Sequence, residues 1–404
     1  MKKILYLSYD GMTDPLGQSQ VINYLIGLSQ KGFQFDILSF EKPAKYDALG
    51  GEIKAILDAN KIGWYPQVFH QQIPVLSKVM DRKKLFKTAT GLHKQKQYDI
   101  IHCRSYISAE TGQKLKKATG VKFLFDMRGF WADEKKDGNS WDTSKFFWKK
   151  VYDHYKKKEK EFVQQSDHII SLTRAGKMEI ESWAAYTNVP ISVIPCCTNA
   201  DFFTLTSSAK KKSAREALNI PADSFVVSYL GSLGTWYLLD EMIEYFKLLL
   251  QQNSNSFFLI ITNSKPEEII PAFLRQAIED DKYIVISVPF SKVPSLMFAS
   301  DVSINFTKPA YSKLASSPVK VGEILTMGIP IIANDVGDTG VFIKNNNVGI
   351  MLRDITEASF KQSISEISTL NELDAKEIRN VALKEYSLDS GIESYSKVYS
   401  EMVS

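Results

Sequence analysis

Two spacings of apolar residues alternate along this chain. In its first half the short runs KILYLSY, FDILSF, YDIIHC, VKFLFD, HIISLT and ISVIP are separated by stretches whose apolar positions fall on one side of a helix, beginning with Val21, Ile22, Leu25, Ile26 and Leu28. Short apolar strands between amphipathic helices predict a mainly parallel sheet. The rhythm then restarts. SFVVSYLG opens a second set, followed by a helix with Leu238, Leu239, Met242, Ile243, Phe246, Leu249 and Leu250 at 3.6-residue spacing, and by FFLIITN, YIVISV, DVSINF, PIIAN and VGIML. The pattern predicts an α/β protein with two Rossmann-like, doubly wound domains and a ligand cleft between them, beyond the carboxyl ends of the strands.

The polar stretch from Thr204 to Ser224 lies between the two sets and reads as a partly helical connection. It sets expected limits of 1–205 for the first domain, 206–224 for a linker and 225–385 for the second domain, with a C-terminal helix, 386–404, returning to the first. A chain of 404 residues, 44% hydrophobic and 24% charged, suits two ordinary globular cores. No stretch approaches the roughly 20 apolar residues of a membrane span. The apolar start ends at Asp10 and Gly11, too early for a secretory leader, so a cytoplasmic protein is expected. Cys103, Cys196 and Cys197 offer neither a disulfide framework nor metal-ligand spacing, which fits a reducing compartment.

Charge divides the chain more sharply than its total of +4 suggests. Met1 to Ala200 holds 31 Lys and Arg against 21 Asp and Glu; the remainder holds 19 against 25. A basic first half points to an anionic partner, yet no nucleic-acid-binding motif accompanies it, so nucleic acid is not expected. One basic stretch, Phe146 to Phe162, carries six lysines against three acids, with Phe147, Val151, Tyr155, Lys158 and Phe162 at helical spacing. It predicts either peripheral contact with an anionic membrane or a helix whose aromatics pack inward and whose lysines are solvated.

Candidate chemistry begins at the first loop, DGMTDPLGQSQ. Gly11 and Gly17 are wrongly spaced for a dinucleotide fingerprint, and no acidic residue is read after the second strand to hold a ribose. Gly17 can bring backbone N–H groups to a substrate or simply serve a tight turn. Neither an Asp-x-Asp nor a Gly-Lys-Ser/Thr phosphate loop occurs. The segment SPVKVGEILTMGIPII, Ser317 to Ile332, is more informative. Pro318 suits a first helical turn, whose free N–H groups attract an anion, and Lys320 adds a full charge there. Glu323, on the same face, can accept two hydrogen bonds from a vicinal diol. Spacing alone equally allows a solvated i,i+3 ion pair.

FASDVSINF followed by SSPVKVGEILTMGIPIIANDVGD resembles the donor-site segment of retaining GT-B glycosyltransferases of family four, the group that builds bacterial capsules and lipopolysaccharides. YDIIHCRSY, DHIISLT, VIPCCTNADFF and VVSYLGSLGTWYLLDEMI extend the resemblance over most of the chain. It implies a nucleotide-diphosphate sugar donor, with uridine the commonest base, and a glycan or lipid-linked acceptor. The nucleotide sugar is a substrate, and no metal or other cofactor is implied. The family's glutamate in the place of Glu323 holds the nucleotide ribose.

Two departures stand out. Ala315 occupies the place of a usual glutamate eight residues before Glu323, and the usual basic residues after Gly231 are replaced by Ser232, Leu233, Gly234, Thr235 and Trp236. The diphosphate then falls to Lys320, to groups around Ser232 and Thr235 and to an arginine of the first domain; Gly17, Gly231 and Ser317 complete the expected donor-binding set with Glu323, and Val288 and Phe290 stand where the family contacts the base. In the first domain Asp126 and Arg128 replace a histidine-bearing motif. Together with Lys320 they form the expected catalytic set; His102, Arg104 and Arg128 are the expected acceptor-binding residues. For Asp126 with Arg128 a structural ion pair is the alternative, and for His102 a satisfied core position. Two rival functions remain at this level: a nucleotide-sugar epimerase of the same fold and a non-catalytic two-lobed sugar-binding protein.

Overall fold

Seven parallel strands form the first sheet: β1 (Lys2–Ser8), β2 (Phe33–Glu41), β3 (Gly63–Val68), β4 (Ile100–Arg104), β5 (Lys122–Asp126), β6 (His168–Ser171) and β7 (Ile191–Val193). Six more, β8 (Phe225–Leu230), β9 (Ser256–Ile261), β10 (Tyr283–Ile286), β11 (Val302–Asn305), β12 (Ile331–Asn334) and β13 (Gly349–Leu352), form the second. The computed structural model describes residues 1–70 and 74–404, the second stretch with side chains from Ser77 onward. The architecture is that of a GT-B protein, two Rossmann-like sheets in two domains.

The strand orders are β3-β2-β1-β4-β5-β6-β7 and β10-β9-β8-β11-β12-β13. In each sheet the winding reverses once, between β1 and β4 and between β8 and β11. Such a switch point leaves a crevice at the carboxyl ends of the two central strands. The registers Ser8↔Arg104 and Arg104↔Asp126 bring the ends of β1, β4 and β5 side by side.

Alternation along each buried strand divides its side chains between two cores. In the second sheet Val226 and Ile331 enter one cluster with Leu259 and Ile324, while Val227 and Ile332 enter another with Phe246 and Phe258. Every strand read from an apolar run is present. Among the described residues the one strand that no run signalled is β3, whose sequence GWYPQV contains proline. It lies at the sheet edge, where a missing N–H can be tolerated.

The chain divides into a unit made of Met1–Cys196, Tyr311–Ser316 and Leu388–Ser404 and a unit made of Cys197–Ala310 and Ser317–Ser387. The stretch 206–224, read as a linker, is built into the second unit instead: its helix Ser208–Ala217 contributes Ala214 to a core that also takes Leu218 and Ile220. Arg215 ties it down, donating to Asp301 at 2.6 Å and to the Ala222 carbonyl at 2.7 Å. The C-terminal helix Leu388–Val403 is part of the first unit, with Ile392 against Gly27; a side chain at Gly27 would collide with it.

Candidate active site

In the second unit the helix Val319–Thr326 starts directly after Pro318 and is buried along its length. Lys320 and Glu323 are only 8% and 9% exposed, so the solvated surface pair is not what forms. The Lys320 ammonium donates to the Tyr229 hydroxyl at 2.9 Å and lies 3.3 Å from the centroid of the Tyr237 ring. An ammonium over an aromatic face is attracted by the ring quadrupole. The Tyr229 hydroxyl in turn donates to the Ser232 carbonyl at 2.6 Å, linking helix, strand β8 and the loop that follows it.

Burial pushes the Lys320 ammonium down to about 7, and the nearby Glu323 carboxylate only partly restores it. Burial likewise lifts Glu323 to about 7 against the pull of Lys320. Both shifts have one main cause: the charged forms lack water, and the attraction between the two groups replaces it only in part. An incoming anion would compensate Lys320, and a diol would supply donors to Glu323.

Gly231 follows β8 with φ +126, and a Cβ there would lie 2.7 Å from the Lys320 Nζ. The backbone conformation calls for glycine, and the missing side chain leaves the ammonium its place. Ser232 and Thr235 lie on the exposed loop beyond it, and Ser317 is half-buried just before Pro318. The loop is held by bridges from Tyr237 to Gly234 and Thr307. Val288 and Phe290 are not part of this cluster. They follow the edge strand β10, where Phe290 is exposed and stacks on Phe202 at 5.1 Å between centroids. Tyr229 and Tyr237 are the residues that sequence reasoning missed; nothing in the spacing of YLGSLGTWY marks them as partners of a lysine.

In the first unit, Asp126 at the end of β5 accepts hydrogen bonds from His102 and from the Tyr395 hydroxyl, both at 3.2 Å. Its second oxygen lies 3.9 Å from Arg128. Burial opposes its ionisation, yet Arg128 and His102 together hold its carboxyl below the usual range. His102 is buried, with its other ring nitrogen 2.7 Å from the Tyr399 hydroxyl, and burial holds it below its ordinary range. That is the satisfied core position, which orients Asp126. Arg104, the last residue of β4, is 6% exposed, and Asp10 approaches its Nε at 3.5 Å.

Gly17 is helical, with φ −62 and ψ −44 at the end of the short helix Pro15–Gly17. A Cβ on it would lie 2.1 Å from the Gly11 carbonyl oxygen, so its own chain, not a substrate, excludes a side chain. The expectation that no acid follows the second strand also fails, because β2 runs on to Glu41. That buried carboxylate accepts from the Met12 and Thr13 N–H groups at 2.8 and 3.1 Å and from the Thr13 and Ser39 hydroxyls at 2.7 and 2.6 Å. It is fully occupied in shaping the first loop. The basic helix, Phe146–Gln165, buries Tyr155 and Phe162, and Lys156 is held by Asp133 and Glu159. Phe146 and Phe147 remain 74% and 51% exposed at its start. No helix among the described residues is long and apolar enough to cross a membrane.

Two family models account for most of the chain: Glycosyltransferase Family 4 over residues 17–202 and Glycosyl transferases group 1 over residues 210–383. No curated protein matches it. Solved structures do, at low identity. Sucrose-phosphate synthase from Thermosynechococcus elongatus aligns with a TM-score of 0.75 at 14% identity, covering 100% of this chain and 99% of its own. Anabaena HepE in complex with UDP and glucose aligns at 0.71 and 14% identity, covering 99% and 100%. WaaG, a glycosyltransferase involved in lipopolysaccharide biosynthesis, aligns at 0.68 and 13% identity, covering 98% and 99%.

Proposed function

Because this chain belongs to the GT-B glycosyltransferases of family four, we propose that it is a retaining enzyme that moves a sugar from a uridine-diphosphate donor to a glycan or lipid-linked acceptor in bacterial surface-polysaccharide synthesis. The observation that carries this reading is the buried pair on one helix: a lysine at its first turn whose ammonium rests against Tyr229 and Tyr237, and a carboxylate one turn on. The helix N-terminus and Lys320 supply positive charge for a diphosphate. Glu323 supplies an acceptor for two ribose hydroxyls. The complexes of HepE with UDP and with UDP-glucose favour uridine, and WaaG favours a surface glycan.

As the bond from anomeric carbon to phosphate oxygen breaks, charge grows on the leaving diphosphate, and a fixed ammonium stabilises it without reorganisation. In a front-face route the acceptor hydroxyl forms the new bond on the same side and hands its proton to the leaving phosphate oxygen. Neutralisation by protein groups makes turnover independent of added metal. Asp126 and Arg128 serve the acceptor side, and the basic first unit makes peripheral contact with anionic membrane. Incubation with UDP-sugars, with and without EDTA, tests the reading. Release of UDP that survives EDTA and is lost in Lys320→Ala supports it, whereas interconversion of the donor sugars without release identifies an epimerase.

A further inference from the structure

Arg104 is a buried guanidinium with unused donors. Neither its Nε nor its Nη1 has a hydrogen-bond partner. Among the described residues its carboxylate neighbour in ion-pair range is Asp10, 3.5 Å from Nε and 54% exposed at the rim. A buried charge paired so weakly is costly, and proteins keep such groups where a ligand completes them.

Its place in the fold points the same way. Arg104 closes β4 and pairs in register with Ser8 of β1, so it stands at the switch point of the first sheet, where open α/β sheets take their ligands. The 15-residue helix Ser105–Thr119 begins at the next residue, and its first-turn N–H groups carry no side-chain cap. Positive dipole and guanidinium thus meet at one point. Arg128 adds charge nearby: both arginines act electrostatically on His102 and Asp126. The two differ, because Arg128 is already engaged by Asp126 and by the Cys196 sulfur at 3.2 Å. Asp126 is in turn occupied by His102 and Tyr395. The open capacity is that of Arg104.

We propose that Arg104 and the start of the helix Ser105–Thr119 bind a phosphate group carried by the acceptor, and that Asp10 occupies the guanidinium until the phosphate displaces it. A guanidinium offers paired N–H groups that match two phosphate oxygens. The Asp10 carboxylate, exposed and held by one long contact, is a replaceable partner. The identification of this anion as the acceptor's rests on the glycosyltransferase reading; the anion site itself does not.

Calorimetry on the full chain tests it, with inorganic phosphate as the first probe. Wild-type protein should bind it. Arg104→Gln should weaken binding about tenfold or more, the loss expected for a charge-assisted contact. Asp10→Asn, a change at an exposed side chain, should tighten it several-fold by removing the competitor, and Lys320→Met should leave this binding intact. Unchanged affinity in Asp10→Asn, or loss of all phosphate binding in Lys320→Met, overturns the site even if Arg104→Gln does not fold. A soluble sugar 1-phosphate and a detergent-dispersed polyprenyl diphosphate sugar then separate a free from a lipid-linked acceptor. If neither binds more tightly than phosphate itself, the acceptor assignment falls. UDP binding is followed separately: its absence in wild type removes the glycosyltransferase reading while leaving the Arg104 site standing.

Discussion

The Lys320 ammonium donates to the Tyr229 hydroxyl at 2.9 Å, and that hydroxyl in turn donates to the Ser232 carbonyl at 2.6 Å. One phenol thereby couples the proposed diphosphate-binding lysine to the loop beneath it. Tyr229→Phe keeps the ring and removes the coupling. It should raise the donor KM several-fold with a smaller change in kcat; unchanged steady-state constants would leave Tyr229 as packing only.

Lys320→Ala should lower kcat by roughly 100- to 1000-fold, or about 2.7–4 kcal/mol of barrier, as for other donors to a developing oxyanion. The measurement is UDP release by a protein whose circular dichroism and melting match the wild type. Near-normal turnover would refute the assignment.

Glu323→Ala should act mainly on binding. Losing charge-assisted hydrogen bonds worth about 1.5–3 kcal/mol raises the donor KM or Kd roughly 10- to 100-fold, with kcat less affected. Titration of UDP into the variant checks this, and wild-type affinity would return Glu323 to a structural role.

The depressed Lys320 ammonium predicts a pH dependence of stability. Its folded value of about 7 lies below the ordinary 10.5, so between these limits the unfolded chain binds more protons than the folded one. Stability from this group therefore increases as pH rises from about 7 toward 10.5. Glu323 has the opposite sign, its folded value raised from 4.5 to about 7, so its contribution declines as pH rises through that window. In ligand-free protein, the Tm of wild type relative to Lys320→Met should climb between pH 7.5 and 9.5. A flat difference contradicts the burial argument.

Membrane contact cannot use Lys156, because Asp133 and Glu159 hold it inside the first unit. The available surface is Phe146 and Phe147 with Lys150, Lys157 and Lys160, which are exposed on the same helix. Salt-sensitive binding to vesicles containing anionic lipid is expected, with little to neutral ones. Replacing the three lysines by glutamate and the two phenylalanines by serine should abolish it. Equal partitioning to both vesicle types argues for a soluble acceptor.

Much of this molecule is written in local periodicity. Alternating apolar runs specify strands, and 3.6-residue stripes specify the helices that cover them, because burial of one face is decided by neighbours two to four positions away. The helix carrying Lys320 and Glu323 was legible for the same reason: a proline, a lysine and a glutamate within six residues define its start and one shared face. What periodicity does not carry is which distant residues meet. Tyr229 reaches Lys320 across 91 positions because β8 and the helix after β11 converge at the carboxyl ends of the central strands of a parallel sheet. Glu41 lies under the first loop, and Asp10 faces Arg104, through the register of β1 with its two neighbours. Strand β3 escaped notice because an edge position tolerates a sequence without an apolar run. Polarity made 206–224 look like a spacer, yet Ala214, Leu218 and Ile220 are enough to dock it. The sequence by itself determined two wound sheets and the charged pair on one helix. Register and sheet order decided which charges are left without water or a partner, since desolvation depends on everything packed around a group and not on its neighbours in the chain.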